Sequence, residues 1–243
     1  MSRIPSQEAT APAPGNPPAR ALRFRVGHGP GDVSALLVRP AGATALYVMA
    51  HGAGAGMRHP FMDKVARGLA DQGIATFRYQ FPYMEAGRKA PDRVPVLQAT
   101  VRAAVDEARR RAPDLALLAG GRSMGGRMTS LASSSSPLPG VCGLAFLGFP
   151  LHPAGRPAPE RGAHLFGVGL PMLFLQGSRD ALADLTLLRP LLASVRPPPV
   201  LHVVEGADHG FHVLKRSGRS DAQVPAELCD RLSSWVRRVL AGA

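Results

Sequence analysis

The pentapeptide Gly121-Arg122-Ser123-Met124-Gly125 most constrains what this chain can fold into, because an apolar run, Leu115 to Ala119, leads into it and a helix-like segment follows. A serine at that junction reads as a nucleophile on a strand-to-helix elbow. The glycines two positions either side are what such a turn demands: it leaves no room for side chains and holds the hydroxyl clear of the sheet. With 15 serines and 27 glycines in 243 residues, roughly 0.2 such pentapeptides arise by chance in a chain of this composition, so the elbow needs its context.

The context is an alternation of strand-like and helix-like segments. Ala21 to Val26 and Val33 to Val38 read as a hairpin around Gly29-Pro30-Gly31, and Ala45 to Ala50 as a central strand. His59 to Gln72 carries Phe61, Val65 and Leu69 at a spacing of four, one face of a helix that Gly73 stops. Ile74 to Tyr79 is the next strand. A loop from Phe81 to Arg93 precedes a helix from Val94 to Arg111 with Val94, Leu97, Val101 and Val105 on one face. Strands are then expected at Leu115 to Ala119, Val141 to Leu147, Met172 to Leu175 and Val200 to Val204, with helices near Ala181 to Ala193 and Ala226 to Leu240. The elbow helix should end at Ser133 to Ser136.

Pro150 to Gly169 has five prolines and glycines in its first ten residues and no clear period, so it reads as a loop or short helical turn, too short for a lid domain. Alternation of this kind requires crossovers, hence a mostly parallel sheet with helices on both faces and chemistry outside the carboxyl ends of the strands. The expected class is α/β, as one domain over residues 21–243 behind a polar, proline-rich tail over 1–20 that cannot repay its ordering entropy.

A serine hydroxyl is a poor nucleophile at neutral pH and needs a base to take its proton and a third group to orient that base. Asp180, in Gln176-Gly-Ser-Arg-Asp180, follows one strand, and His209, in Glu205-Gly-Ala-Asp-His-Gly210, follows the next. Each has a plainer reading: Asp180 or Ser178 as a helix cap, His209 as a turn residue. Asp184 is a reserve acid and His212 lies three residues beyond His209. Taken together, in the order Ser, Asp, His at successive strand ends, the three support one another.

His51-Gly-Ala-Gly-Ala-Gly56 follows the central strand. Its small residues let the backbone approach a developing oxyanion, with the N–H groups of Ala53 and Met124 as donors. A P-loop reading fails for want of its Lys-Ser/Thr pair, and the Rossmann spacing does not fit. His51, Tyr83, Arg88 and His152 are candidate substrate-binding residues, with Glu85 and His164 beside them; a solvated loop is the competing reading for Tyr83, Glu85 and Arg88.

Composition narrows the function classes. The formal charge of +12 comes from arginines and lysines scattered along the chain, and aromatic residues make up only 5%, too few for a base-stacking platform, so nucleic acid is not an expected partner. No apolar stretch approaches the about 20 residues that span a bilayer, and the first residues lack the apolar core of a signal peptide, so the expectation is a soluble cytoplasmic protein. Cys142 and Cys229 have no metal-ligand spacing and form no disulfide framework. No metal or cofactor is expected.

From about residue 44 to 212 the chain resembles the α/β-hydrolase superfamily, and within it is similar to small bacterial dienelactone-hydrolase-like proteins related to the testis-expressed and histone-acetyltransferase-complex subunit branch. The strings that carry this are His51-Gly-Ala-Gly-Ala-Gly-Met-Arg-His-Pro60, Phe81-Pro-Tyr-Met-Glu-Ala-Gly-Arg88, Gly121-Arg-Ser-Met-Gly-Gly-Arg127 and Gly148-Phe-Pro-Leu-His-Pro153. The resemblance implies an α/β-hydrolase fold without a large lid, a nucleophile at Ser123, an acid at Asp180, a base at His209 and oxyanion donors at Ala53 and Met124. Dienelactone hydrolases use a cysteine nucleophile where this chain has serine, so their substrate does not carry over. The expected activity is hydrolysis of an ester, thioester or related acyl bond of a small molecule. The alternative, suggested by the nuclear subunit, is a non-catalytic scaffold that keeps the fold as an interaction module.

Overall fold

The structure, a computed structural model, describes residues 17–27, 31–214 and 217–242. Most of the expected tail, and residues 28–30 of the expected hairpin turn, lie outside the described residues. Eight strands form one sheet in the order β1-β2-β4-β3-β5-β6-β7-β8. They are β1 (Arg20–Val26), β2 (Gly31–Val38), β3 (Ala45–Ala50), β4 (Ile74–Tyr79), β5 (Ala116–Arg122), β6 (Val141–Leu147), β7 (Met172–Gly177) and β8 (Val200–Val204). β2 pairs antiparallel with both β1 and β4, and every pairing from β4 through β3 to β8 is parallel.

The helices are α1 (Pro60–Ala70), α2 (Pro82–Glu85), α3 (Val94–Arg111), α4 (Met124–Ser135), α5 (Leu185–Ser194) and α6 (Gln223–Ala241). They explain why β3 is apolar at every position. Leu46, Val48 and Ala50 point into the core shared with α3 and α4, whereas Ala45, Tyr47 and Met49 point into the core shared with α1 and α6. A parallel strand covered on both faces has no solvent side to carry polar residues.

Local chemistry sets the element ends. The His59 side chain accepts the Phe61 N–H at the start of α1 and Pro60 occupies its first turn; the helix ends at Ala70, and Gly73 takes a positive φ of 74° beyond it. The helix expected from Ala181 instead starts at Leu185, because Asp184 caps it by accepting the Thr186 N–H while the segment before it turns around Asp180. The stretch read as a loop from Phe81 contains the single turn α2. Pro150 to Gly169 holds a 3-10 helix, Glu160–Gly167, and no lid.

Where β5 meets β3 the backbones leave no room for a side chain. A Cβ at Gly121 would sit 2.2 Å from the Ala50 carbonyl oxygen, and one at Gly125 would sit 2.5 Å from the His51 carbonyl oxygen. Backbone against backbone cannot yield as a flexible side chain can. Gly125→Ala is therefore expected to cost about 2 kcal/mol or more. Gly52→Ala, whose Cβ would meet the Ser123 Cβ at an ordinary 3.6 Å, should be nearly neutral; urea denaturation of the two variants beside the parent checks the contrast.

Candidate active site

Ser123 lies between β5 and α4 with φ 49° and ψ −120°, one of two described non-glycine residues at positive φ. That backbone is strained for a residue with a Cβ, and it persists because the surroundings over-determine it. The Ser123 N–H donates to the Leu147 carbonyl at 3.1 Å, and Gly121 and Gly125 clamp the turn against β3.

The hydroxyl of Ser123 donates to Nε2 of His209 at 2.8 Å, and Nδ1–H of His209 donates to Asp180 Oδ2 at 2.7 Å. Asp180 is buried. Its other oxygen accepts the Leu182 N–H at 2.7 Å, and the amide of buried Gln176 also donates to Oδ2. The same Gln176 side chain accepts the Phe149 N–H at 2.9 Å, which ties the acid to the loop after β6, and Gly148 of that loop lies against the His209 ring. Neither of the other acid and base candidates takes part. Asp184 caps α5, and the exposed His212 pairs with Asp221 at 2.8 Å.

The loop after β3 is built on buried polar groups. His51 Nδ1–H donates to the Gly52 carbonyl at 2.8 Å and its Nε2 accepts the Phe81 N–H at 3.1 Å, so both ring nitrogens are engaged within the protein. Burial pushes its pKa down to about 4, the Gly52 carbonyl opposing weakly. Tyr83 is also buried, and its hydroxyl accepts the Gly54 N–H at 3.1 Å. Both candidates thus shape the loop from behind. The Ala53 N–H has no acceptor among the described residues, and Met124 opens α4 with no preceding turn to donate into.

Four other candidates make their contacts with groups other than the serine. Arg88 is exposed and pairs with Asp92, and Glu85 accepts from Ser34 and Arg23. His152 is buried: one ring nitrogen bonds the Pro153 carbonyl and the other accepts the Asp184 N–H at 2.8 Å. His164 meets Ser130 at 2.7 Å in a second serine–histidine pair, which joins the 3-10 helix to α4 where the Ser130 hydroxyl is buried.

Above the hydrogen-bonded chain opens a cleft of about 450 Å³, lined by Ala53, Arg122, Ser123, Leu182 and His209 among others. Gln176, Leu182 and Arg122 were not singled out from sequence. For Gln176 the signal was present, a lone amide ending the apolar strand Met172–Gly177. Among the described residues no three His, Cys, Asp or Glu side chains gather as metal ligands, and no helix is long and apolar enough to cross a membrane.

A mostly parallel sheet, with a serine elbow after one strand and an acid and a histidine at later strand ends, defines an α/β-hydrolase fold. The chain belongs to the α/β-hydrolase family: the alpha/beta hydrolase domain matches residues 43–237. A dienelactone hydrolase from Anabaena variabilis is similar in structure with a TM-score of 0.71 at 21% identity, over 91% of this chain and 98% of its own. The esterase domain of a Rhodothermus marinus protein matches with a TM-score of 0.69 at 20% identity, over 91% and 98%. A serine hydrolase without a lid from Xanthomonas campestris matches with a TM-score of 0.68 at 21% identity, over 89% and 94%. At such identities the likeness is one of fold.

The His51 geometry sets a pH dependence. Below its unfolded pKa, about 6.5, the unfolded chain binds a proton that folded His51 refuses until about pH 4. Stability present above pH 6.5 is therefore expected to decline as the pH falls to about 4, by roughly 3 kcal/mol from this residue, and to level off beneath. Urea denaturation across that range measures the loss, and an NMR titration should find the His51 ring neutral at pH 5.

Proposed function

We propose that the protein is a serine hydrolase that cleaves an ester, thioester or related acyl bond of a small molecule. The observation that carries this reading is the continuous hydrogen-bonded chain Ser123–His209–Asp180, set on a strained elbow and open to the cleft. In this mechanism Ser123 Oγ attacks the acyl carbon while His209 Nε2 takes its proton, and Asp180 orients the ring and stabilises the imidazolium that forms. The oxyanion of the tetrahedral intermediate accepts from the N–H groups of Ala53 and Met124. On collapse the bond to the leaving group breaks and the imidazolium protonates it. Water then attacks the acyl-enzyme, giving a proton to His209, and Ser123 recovers its proton as the acid is released.

Gln176 acts as a positioning residue. Its amide holds Asp180 Oδ2 beside the histidine and withdraws part of the negative charge the imidazolium feels. The open cleft favours small substrates that need no lid movement. The whole of residues 21–243 serves as one hydrolase domain in this reading, within the branch of dienelactone-hydrolase-like proteins named above. Its two unpaired thiols suit a reducing cytoplasm.

A fluorophosphonate probe is expected to label the parent at Ser123 and to leave Ser123→Ala unlabelled; labelling that persists in that variant overturns Ser123 as the nucleophile, and an unlabelled parent that turns over no ester favours the scaffold reading. His209→Ala should lose about a thousandfold in kcat against an aryl ester. Gln176→Leu tests the positioning role. With the amide gone the carboxylate attracts the imidazolium more strongly, so the acid limb of the kcat/KM profile should move to higher pH, whereas a merely structural defect would lower the rate without moving the limb.

A further inference from the structure

Arg122, the residue before Ser123, is the part of the elbow motif that the acyl-transfer machinery leaves unused. Its guanidinium is half-buried and lies over the Phe61 ring, 4.8 Å from the centroid. Among the described residues it makes no hydrogen bond and no ion pair, whereas the other deeply placed arginine beside α1, Arg78, is paired with Asp63 at 3.2 Å. Asp208 is the one carboxylate whose charge reaches Arg122. One oxygen of that group, Asp208 Oδ1, accepts the N–H groups of Gly210 and His212, and neither oxygen forms an ion pair with Arg122.

Arg122 and His59 line both the cleft over Ser123 and a pocket of about 260 Å³, so the two lie side by side against the same guanidinium. The pocket has apolar walls, Phe61 and Phe211 stacked with centroids 5.5 Å apart, and the ammonium of Lys64 stands at its rim. The carboxylate there, Asp221, is paired with the His212 ring, and Lys64 also acts on its charge. His59 spends one ring nitrogen capping α1. A neutral ligand filling this corner would strip water from an unpaired guanidinium and give nothing in return, which is unfavourable. A carboxylate would meet the planar fork with two charge-assisted hydrogen bonds.

We propose that Arg122, with Lys64 at the rim, forms an anion subsite beside Ser123 that receives a carboxylate carried by the ester substrate, its short carbon chain lying on Phe61 and Phe211. This rests on the reading of Ser123 as nucleophile, and the experiment separates the two. The full-length protein is assayed with p-nitrophenyl hemiglutarate against p-nitrophenyl valerate, which puts the carboxylate on the acyl side. In parallel, p-acetoxybenzoate against phenyl acetate puts it on the alcohol side.

The expected result is a kcat/KM preference for the charged ester in one pair, about tenfold or more, that falls by about that factor in Arg122→Gln, falls less in Lys64→Gln, and shrinks as salt rises. Lys64 is exposed on α1, so its variant remains informative if Arg122→Gln fails to fold. The absence of a preference in both pairs, or a preference that neither variant reduces, overturns the subsite while leaving the nucleophile reading intact, provided Ser123→Ala abolishes turnover of the neutral esters. If the parent hydrolyses none of the four, calorimetry decides the subsite separately. Binding of the amide N-(p-nitrophenyl)glutaramate that is stronger than that of N-(p-nitrophenyl)valeramide, and lost in Arg122→Gln, supports it; equal binding of the two overturns it.

Discussion

The rest of the site depends on one steric constraint, the contact of the elbow backbone with the end of β3. Gly121 and Gly125 lie so close to Ala50 and His51 that a single added carbon would fall 2.2 and 2.5 Å from their carbonyl oxygens, far inside van der Waals contact. This contact holds α4 down on the sheet and forces Ser123 into its positive φ, which lifts the hydroxyl away from the strand. It also brings Gly52 against the Ser123 side chain, so that the loop after β3 runs beside that hydroxyl. His51 stays neutral beneath that loop because the same packing removes it from water.

A second set of close contacts aligns Asp180 with His209. β7 and β8 pair in register up to Gly177 and Val204. Beyond them the two loops are stitched together: the Ser178 N–H donates to Val204, the Arg179 N–H to Ala207, and the Gly206 N–H to the Ser178 hydroxyl. Gly177 has no room for a side chain, since a Cβ there would lie 2.4 Å from the Ala207 carbonyl oxygen. Phe211, at φ 65°, turns the chain after His209 and stacks on Phe61 of α1. Gln176 then links this pair of loops to the loop after β6, so the ends of three adjacent strands hold one imidazole between carboxylate and hydroxyl.

Much of this was legible residue by residue. The runs at Ala45 to Ala50 and Ile74 to Tyr79 read as strands from their apolar and β-branched content, and the structure buries every position of both. Phe61, Val65 and Leu69 marked α1 through their spacing, and the two glycines marked the elbow. Other readings needed neighbours distant in sequence. Tyr83 and His51 are polar residues on strand-end loops, a position that suits substrate contact, yet they are turned inward to hold Gly54 and Phe81. His152 supports the turn at Asp184 from the far side of a long connection. The choice of Asp180 over Asp184, and of His209 over His212, turned on where each loop bends.

What the sequence determined by itself was the periodicity of the elements and the need for a parallel sheet with covered faces, because these follow from local geometry and from the pattern of apolar residues. The tertiary structure decided which polar groups meet. Hydrogen bonds such as that from Ser123 to His209 join residues 86 apart in the chain, and no local pattern records the distance between them. The same holds for Arg122: its charge is plain in the sequence, but that it lies half-buried without a partner, between the cleft and a second pocket, depends on how α1, β5 and the loop after β8 pack around it.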